Sequence, residues 1–192
     1  MVEEVTDGEL VRRAQAGDKG AFDTLVRKYQ HKIVKLVGRY VHDQSEVFDV
    51  AQEAFLKAYR ALPRFRGDSA FYTWVYRIAI NTAKNYLVAQ GRRPPGSDID
   101  AEEAEQIAGY GLFSDIGSPE RMALRDEIES TVFETIEELP DDLRTAITLR
   151  ELDGMSYDEI AEAMDCPIGT VRSRIFRARE AIENRLKPLL SQ

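Results

Sequence analysis

Arg172, Arg174, Arg177 and Arg179 fall within eight residues of one another, in the stretch GTVRSRIFRARE that spans Gly169–Glu180. A guanidinium offers a planar fork of donors that matches two phosphate oxygens or the O6/N7 edge of guanine. Such a density of forks on one helix suits a polyanion. A second group lies in FRGDSAFYTWVYRIAINTAKNYL, residues Phe65–Leu87, where Arg77, Asn81, Lys84 and Asn85 recur at helical spacing beside six aromatic residues. Cations, amides and rings together suit single-stranded nucleic acid, whose bases stack or enter pockets. Trp74 fits a core position better than a base platform. A third group, Asp49, Gln52, Glu53 and Leu56, stands at i, i+3, i+4 and i+7 in EVFDVAQEAFLKAYRAL. That stripe is either ordinary surface or a docking face for a partner helix, and periodicity alone leaves both open.

The elements that carry these groups all read as helix. Val47, Val50, Ala51, Ala54, Phe55, Ala58 and Leu62 make a buried stripe on the first; Phe71, Trp74, Val75, Ile78, Ala79 and Thr82 make one on the second. Near the C-terminus, Ser156 and Glu159 spell a capping box that opens a helix at Tyr157. Ile160, Ala161 and Met164 share one side of it. DCP (Asp165–Pro167) then turns the chain into a helix whose apolar positions are Ile168, Val171, Ile175, Ala178 and Ile182. At 100° per residue, Ser173, Phe176 and Arg177 lie opposite this stripe, Arg172 flanks it, and Thr170 points the other way. A water-facing phenylalanine beside arginine suits a helix entering a major groove, where the ring meets a thymine methyl and Arg meets guanine. Arg174 and Arg179 sit nearer the core edges, placed for phosphates or internal salt bridges. The plainer alternative is an amphipathic helix whose arginines only solubilise. Many such motifs put glycine at the tight turn; here Asp165 holds it, and aspartate tolerates left-handed geometry better than most residues.

GRRPPGSD (Gly91–Asp98) breaks the helical pattern, and an acidic, irregular stretch follows to Gly117. Ser118-Pro119 restarts helix, Pro140 stops it, and a further helix from Asp141 closes at Gly154. The fold class is all-α: two small helical domains, residues 1–92 and 118–192, joined by an acidic flexible linker, 93–117, with the C-terminal domain a helix-turn-helix over Tyr157 to Phe176.

The net charge of −8 over 192 residues hides an uneven distribution. Residues 1–96 carry 16 Lys and Arg against 11 Asp and Glu; residues 97–166 carry 4 against 21; residues 167–192 carry 6 against 2. Two basic ends flank an acidic centre. A net-acidic chain binds DNA through a locally basic face, since affinity follows local cation density. His31 and His42 are eleven apart with no cysteine cluster, so no metal site is expected. No phosphate loop or nucleophile elbow appears, so neither catalytic residues nor a cofactor nor a small-molecule substrate is expected. The acidic N-terminus lacks an apolar signal segment and no run is long enough to span a membrane. Cys166, the one cysteine, fits a reducing, cytoplasmic location.

These motifs converge on one family. The chain resembles a bacterial sigma factor of the extracytoplasmic-function class, sigma-E type. DVAQEAFLKAYRAL is similar to its core-polymerase-binding helix, FRGDSAFYTWVYRIAINTAKNYL to its minus-ten segment, and SYDEIAEAMDCPIGTVRSRIFRARE to its minus-thirty-five helix-turn-helix. The resemblance covers nearly all of residues 6–190. It implies that Asp49, Gln52, Glu53, Phe55 and Leu56 bind core RNA polymerase. It implies that the loop Phe65–Phe71, Ser69 included, accepts a flipped non-template base, with Arg77, Asn81 and Lys84 on the following helix. It assigns promoter minus-thirty-five contacts to Thr170, Arg172, Ser173, Phe176 and Arg177. It also implies control of envelope-stress genes, a linker threaded through polymerase channels, and a membrane-anchored anti-sigma factor. The rival readings are a stand-alone helix-turn-helix regulator, which does not need DVAQEAF, and an acidic adaptor that binds protein alone.

Overall fold

The computed structural model describes residues 5–91 and 119–190, with the side chains of 119–125 excepted. The linker 93–117 and the expected cap Ser118 lie outside the described residues. Helix α1 spans Asp7–Gln15, α2 Lys19–Val37, α3 Gln44–Ala61 and α4 Phe71–Ala89, with a short 3-10 turn at Leu62–Arg64. Helices α5 (Pro119–Glu138), α6 (Asp141–Glu151), α7 (Tyr157–Met164) and α8 (Ile168–Leu190) follow.

Local chemistry sets the ends of these helices. Thr6 caps α1 by accepting from the Glu9 N–H at 3.3 Å; Asp7 and Glu9 occupy the first turn and Arg12 and Arg13 the last, each sign at its favourable dipole end. Asp18 caps α2 through the Ala21 N–H (3.1 Å) and takes Arg13 Nη2 at 2.7 Å. The arginine, then the backbone donors, hold the Asp18 carboxyl below its ordinary value. Asp43 caps α3 by accepting from the N–H groups of Ser45 and Glu46. At α7 the capping box is complete, with Ser156 Oγ accepting from Glu159 N–H (3.2 Å) and Glu159 accepting from Ser156 N–H (2.8 Å).

The N-terminal unit stacks α2, α3 and α4 on one another, with α1 laid against α2. Leu25, Ile33, Leu36 and Val37 from α2 meet Val50, Ala54 and Ala58 from α3 and Val75, Ala79 and Ala83 from α4, all buried. In the C-terminal unit α6, α7 and α5 pack around α8, and Ile147, Leu149, Met155, Ile160, Val171, Ile175 and Ala178 form the core.

The expected stripes need two adjustments. Phe55 and Ile78 are half-buried at the edge of the core, whereas Thr73, Tyr76 and Ile80, outside the expected stripe, are buried. The reason is a contact between units: α7 lies on α4, so α4 is covered on two sides. On α7 itself Ala163 joins Ile160 and Met164 inside, and Ala161 is half-buried.

Candidate nucleic-acid and polymerase interface

The outer face of α3 presents Asp49, Gln52 and Leu56 to solvent, with Glu53 half-buried and loosely paired to Lys57 (3.8 Å). Leu56 is 50 % exposed. Phe48, also 50 % exposed, and the exposed Tyr59 extend this face and were not singled out by the sequence. Their signal was available: Phe48, Gln52, Leu56 and Tyr59 repeat at four, four and three residues. Large apolar groups edged by carboxylates therefore share this one exposed face.

Between the 3-10 turn and α4, the loop residues 65–70 wall an open recess of about 790 Å³. Phe65, Ser69 and Phe71 line one side; Asp7, Arg12 and Gln15 of α1 and Lys28 of α2 line the other. Phe71 is buried, in contact with Trp74 at 5.8 Å between ring centroids, and Phe65 lies 4.7 Å from the same indole. Phe65 and Phe71 face the recess, whereas Trp74 behind them belongs to the core as expected. Gln15, which sequence reasoning missed, donates through Nε2 to the carbonyls of Leu62 (3.0 Å) and Phe65 (2.8 Å) and so ties the loop to α1. No local pattern could reveal a bond that spans about fifty positions. Asp7 accepts from Lys28 Nζ (2.6 Å) and from the Tyr29 hydroxyl at the rim of the recess. Burial, then that carboxylate, pushes the Tyr29 phenol up.

On α4 the structure places Asn81 in solvent but partly covers its two cations. Arg77 Nη1 stands 3.8 Å from Glu162 of α7, and Lys84 Nζ stands 3.4 Å from the buried Asp142 of α6. The expected face is therefore not simply water-facing; the C-terminal unit shields it. Tyr72, also on α4, donates its hydroxyl to Glu159. Burial and then Glu159 raise its phenol, and in return the Tyr72 hydroxyl, followed by the Ser156 N–H, lowers the Glu159 carboxyl.

In the helix-turn-helix, Asp165 takes the left-handed conformation at φ 51° and ψ 52°. The Cys166 N–H bonds the Ala161 carbonyl (3.0 Å) and the Asp165 N–H bonds that of Glu162 (3.3 Å), which closes α7 in a Schellman arrangement. Along α8, Arg172 and Arg177 are exposed, while Thr170 and Ser173 are half-buried. Phe176 is half-buried too, a correction to the fully water-facing position the wheel suggests. Arg174 and Arg179 form internal pairs, with Asp142 at 2.6 Å and Glu151 at 2.7 Å. Of the two roles the sequence left open for them, the structure shows the ion pairs. Cys166 touches Arg174 Nη1 through sulfur at 3.4 Å, and burial pushes its thiol up, away from the reactive thiolate form.

Among the described residues, no group of three or more His, Cys, Asp or Glu could hold a metal ion, and no helix is long and apolar enough to cross a membrane.

Known proteins share both the sequence and the layout of these units. Residues 25–93 match the model of Sigma-70 region 2, and residues 131–182 match that of Sigma-70, region 4. The chain is 66 % identical over 192 residues, all of both chains, to the RNA polymerase sigma-H factor of Pseudomonas aeruginosa. It is 65 % identical over 190 residues, 99 % of both, to the ECF RNA polymerase sigma-E factor of Escherichia coli K12. Among solved structures it is similar to CnrH in complex with the cytosolic domain of CnrY, at 25 % identity and a TM-score of 0.63, over 95 % of this chain and 97 % of that one. The two regions fall on the two helical units described above, and the matches to the relatives run through both. The chain belongs to the ECF sigma factors of the sigma-E and sigma-H type, promoter-binding proteins that direct transcription by RNA polymerase and are not enzymes.

Proposed function

We propose that the chain docks on core RNA polymerase through the outer face of α3 and presents two DNA readers at a fixed span. The observation that carries this reading is the exposed row on α3, where Leu56 and Phe48 stand in water beside Asp49, Gln52 and Glu53. Such a row suits a partner helix that offers apolar and cationic groups, and Phe55 supports it from the core edge. The recess behind Phe65, Ser69 and Phe71 receives an unstacked base, with Arg77, Asn81 and Lys84 steering the strand. Unstacking costs a few kcal/mol, which pocket contacts offset. Helix α8 enters the major groove at the minus-thirty-five element. There Arg172 and Arg177 reach base edges or phosphates, and Thr170, Ser173 and Phe176 complete the face.

Neither reader selects a promoter alone. Joining both through polymerase raises the effective concentration of each at its element. The acidic linker, residues 93–117, threads the cationic channels of polymerase that otherwise take nucleic acid. The protein works in the cytoplasm on envelope-stress genes. A membrane-anchored anti-sigma factor restrains it, a reading supported by the complex of CnrH with the cytosolic domain of CnrY.

The test is a charge reversal on α3. Asp49→Lys with Glu53→Lys removes the acidic edge while touching nothing in the core, and surface changes of this kind shift stability by about 0.5 kcal/mol or less. The double variant is expected to fold normally and to lose co-purification with core enzyme. Undiminished co-purification refutes the docking face.

A further inference from the structure

The 3-10 turn at Leu62–Arg64 borders two hollows. The recess described above takes in Phe65 and Arg66; a second, open cleft of about 530 Å³ lies against Lys57, Arg60, Ala61, Pro63 and Arg64. Three of these five residues are cations and none is acidic. Arg60 and Arg64 are exposed, and their side chains form no ion pair or hydrogen bond with a described residue. Lys57 holds a loose contact with Glu53 at 3.8 Å, and an exposed pair of this kind yields readily to salt or to a competing anion. Lys57, Arg60 and Arg64 stand at i, i+3 and i+7, so helical geometry brings them to one side. Like charges on successive turns repel. The helix dipole offsets that repulsion only near the last turn of α3, which ends at Ala61, and Arg64 lies beyond it. A solubilising role accounts for scattered cations but not for an acid-free cleft that gathers three. The cleft also lies about 100° round α3 from the row of Phe48, Gln52, Leu56 and Tyr59, so a partner on that row leaves it open.

We infer that this cleft is a phosphate seat: Lys57, Arg60 and Arg64 hold the backbone of the unpaired strand next to the base that enters the recess. The inference rests on the reading of the recess as a base pocket, and it extends the strand's path from there onto the end of α3. Arg64 and Arg66 are two residues apart, so their Cα atoms stand within ~7 Å of each other. Arg66 lines the recess and Arg64 the cleft. A strand with one base in the recess therefore carries its phosphates past Arg66 and into the cleft without leaving cationic ground. An anion at the C-terminal end of a helix ordinarily meets unsatisfied carbonyls. Here Gln15 Nε2 donates to the Leu62 and Phe65 carbonyls, and the Phe65 N–H bonds that of Leu62 at 3.0 Å. Donors already occupy those oxygens, which lowers the repulsion that a phosphate meets. Guanidinium forks suit the task, because each grips two oxygens of one phosphate and reads no base. The seat adds affinity and leaves sequence choice to the recess.

The experiment compares wild type, Arg60→Gln with Arg64→Gln, and a matched control, Arg27→Gln with Lys35→Gln, which removes the same charge from exposed positions of α2 outside both hollows. Each full chain is assembled with core RNA polymerase, and assembly is measured first. Affinity for a fluorescein-labelled 12-nucleotide single-stranded DNA is then read by anisotropy between 50 and 200 mM salt. It is read again for a strand of the same length built from stable abasic nucleotides, which keeps every phosphate and lacks every base. Each phosphate contact contributes about 0.7 to the salt slope of a single strand, so loss of two flattens it by about 1.4. Across that salt range wild type and control should therefore lose about sevenfold more affinity than the cleft variant, on both strands. A slope equal to that of the control overturns the seat. The base pocket is tested separately by the drop from the normal to the abasic strand: a drop retained in the cleft variant leaves that reading standing whatever the slope does, and no drop in wild type removes the reading on which the seat rests. Failure of the cleft variant to assemble assigns the cations to carboxylates of the polymerase and overturns the seat. Sodium pyrophosphate is titrated calorimetrically into the free chains. Saturable binding by wild type that the cleft variant loses, with no change in slope, overturns the strand as occupant in favour of a free phosphate ligand.

Discussion

Asp165 is the one non-glycine residue with positive φ among the described residues, and it sits at the elbow of the helix-turn-helix. Replacing it with glycine is expected to stabilise the protein. Left-handed geometry costs an ordinary L-residue about 1–2 kcal/mol, and aspartate stands at the low end of that range. The carboxylate also ends α7, where the negative pole of the helix disfavours an anion by about 0.3–1 kcal/mol. Against this, glycine has more backbone freedom to lose on folding, roughly 0.5–1 kcal/mol. The hydrogen bonds from Asp165 N–H and Cys166 N–H are backbone bonds and survive the change. The balance favours glycine by about 1 kcal/mol, or about 2–4 °C in Tm for a chain of this size. Asp165→Val forces a β-branched side chain into the same left-handed geometry, so it should cost more than about 1 kcal/mol of stability. Urea denaturation followed by circular dichroism measures both. A glycine variant no more stable than wild type, or a valine variant that is tolerated, refutes the account of the elbow.

Two further predictions concern the readers. Arg177→Ala should reduce discrimination at the minus-thirty-five element by about 1–3 kcal/mol if the contact is bidentate, measured as relative transcription from promoter variants; unchanged preference contradicts the placement of Arg177 against base edges. Gln15→Leu removes both bonds to the Leu62 and Phe65 carbonyls, which water can partly replace. It should cost about 1 kcal/mol of stability, speed hydrogen exchange in residues 65–70, and flatten base preference in the recess; exchange equal to wild type contradicts the tie.

What was legible in the sequence was local. The capping box at Ser156 and Glu159, the left-handed Asp165, and the 3-4-3-4 apolar spacing of α8 are each decided within a few residues, and the helix-turn-helix follows from them. What was not legible was tertiary. Lys84 and Asp142 are 58 positions apart, so no periodicity announces that one answers the other. The burial of Tyr76 and Ile80 has the same origin, because α4 has a second covered side only once α7 lies on it. The wheel also over-exposed Phe176, since a wheel has no neighbours and treats every position opposite the stripe as water. Gln15 was missed because its polarity at the end of α1 looks like ordinary surface until the loop arrives beneath it.

The central claim is that promoter choice requires both readers on one chain, held by one polymerase. Run-off transcription with purified core enzyme on a promoter library tests it directly, comparing the intact chain with residues 1–92, residues 118–192, and the two pieces mixed. Selective initiation is predicted from the intact chain alone. Start-site selection by either piece as sharp as that of the whole would contradict it.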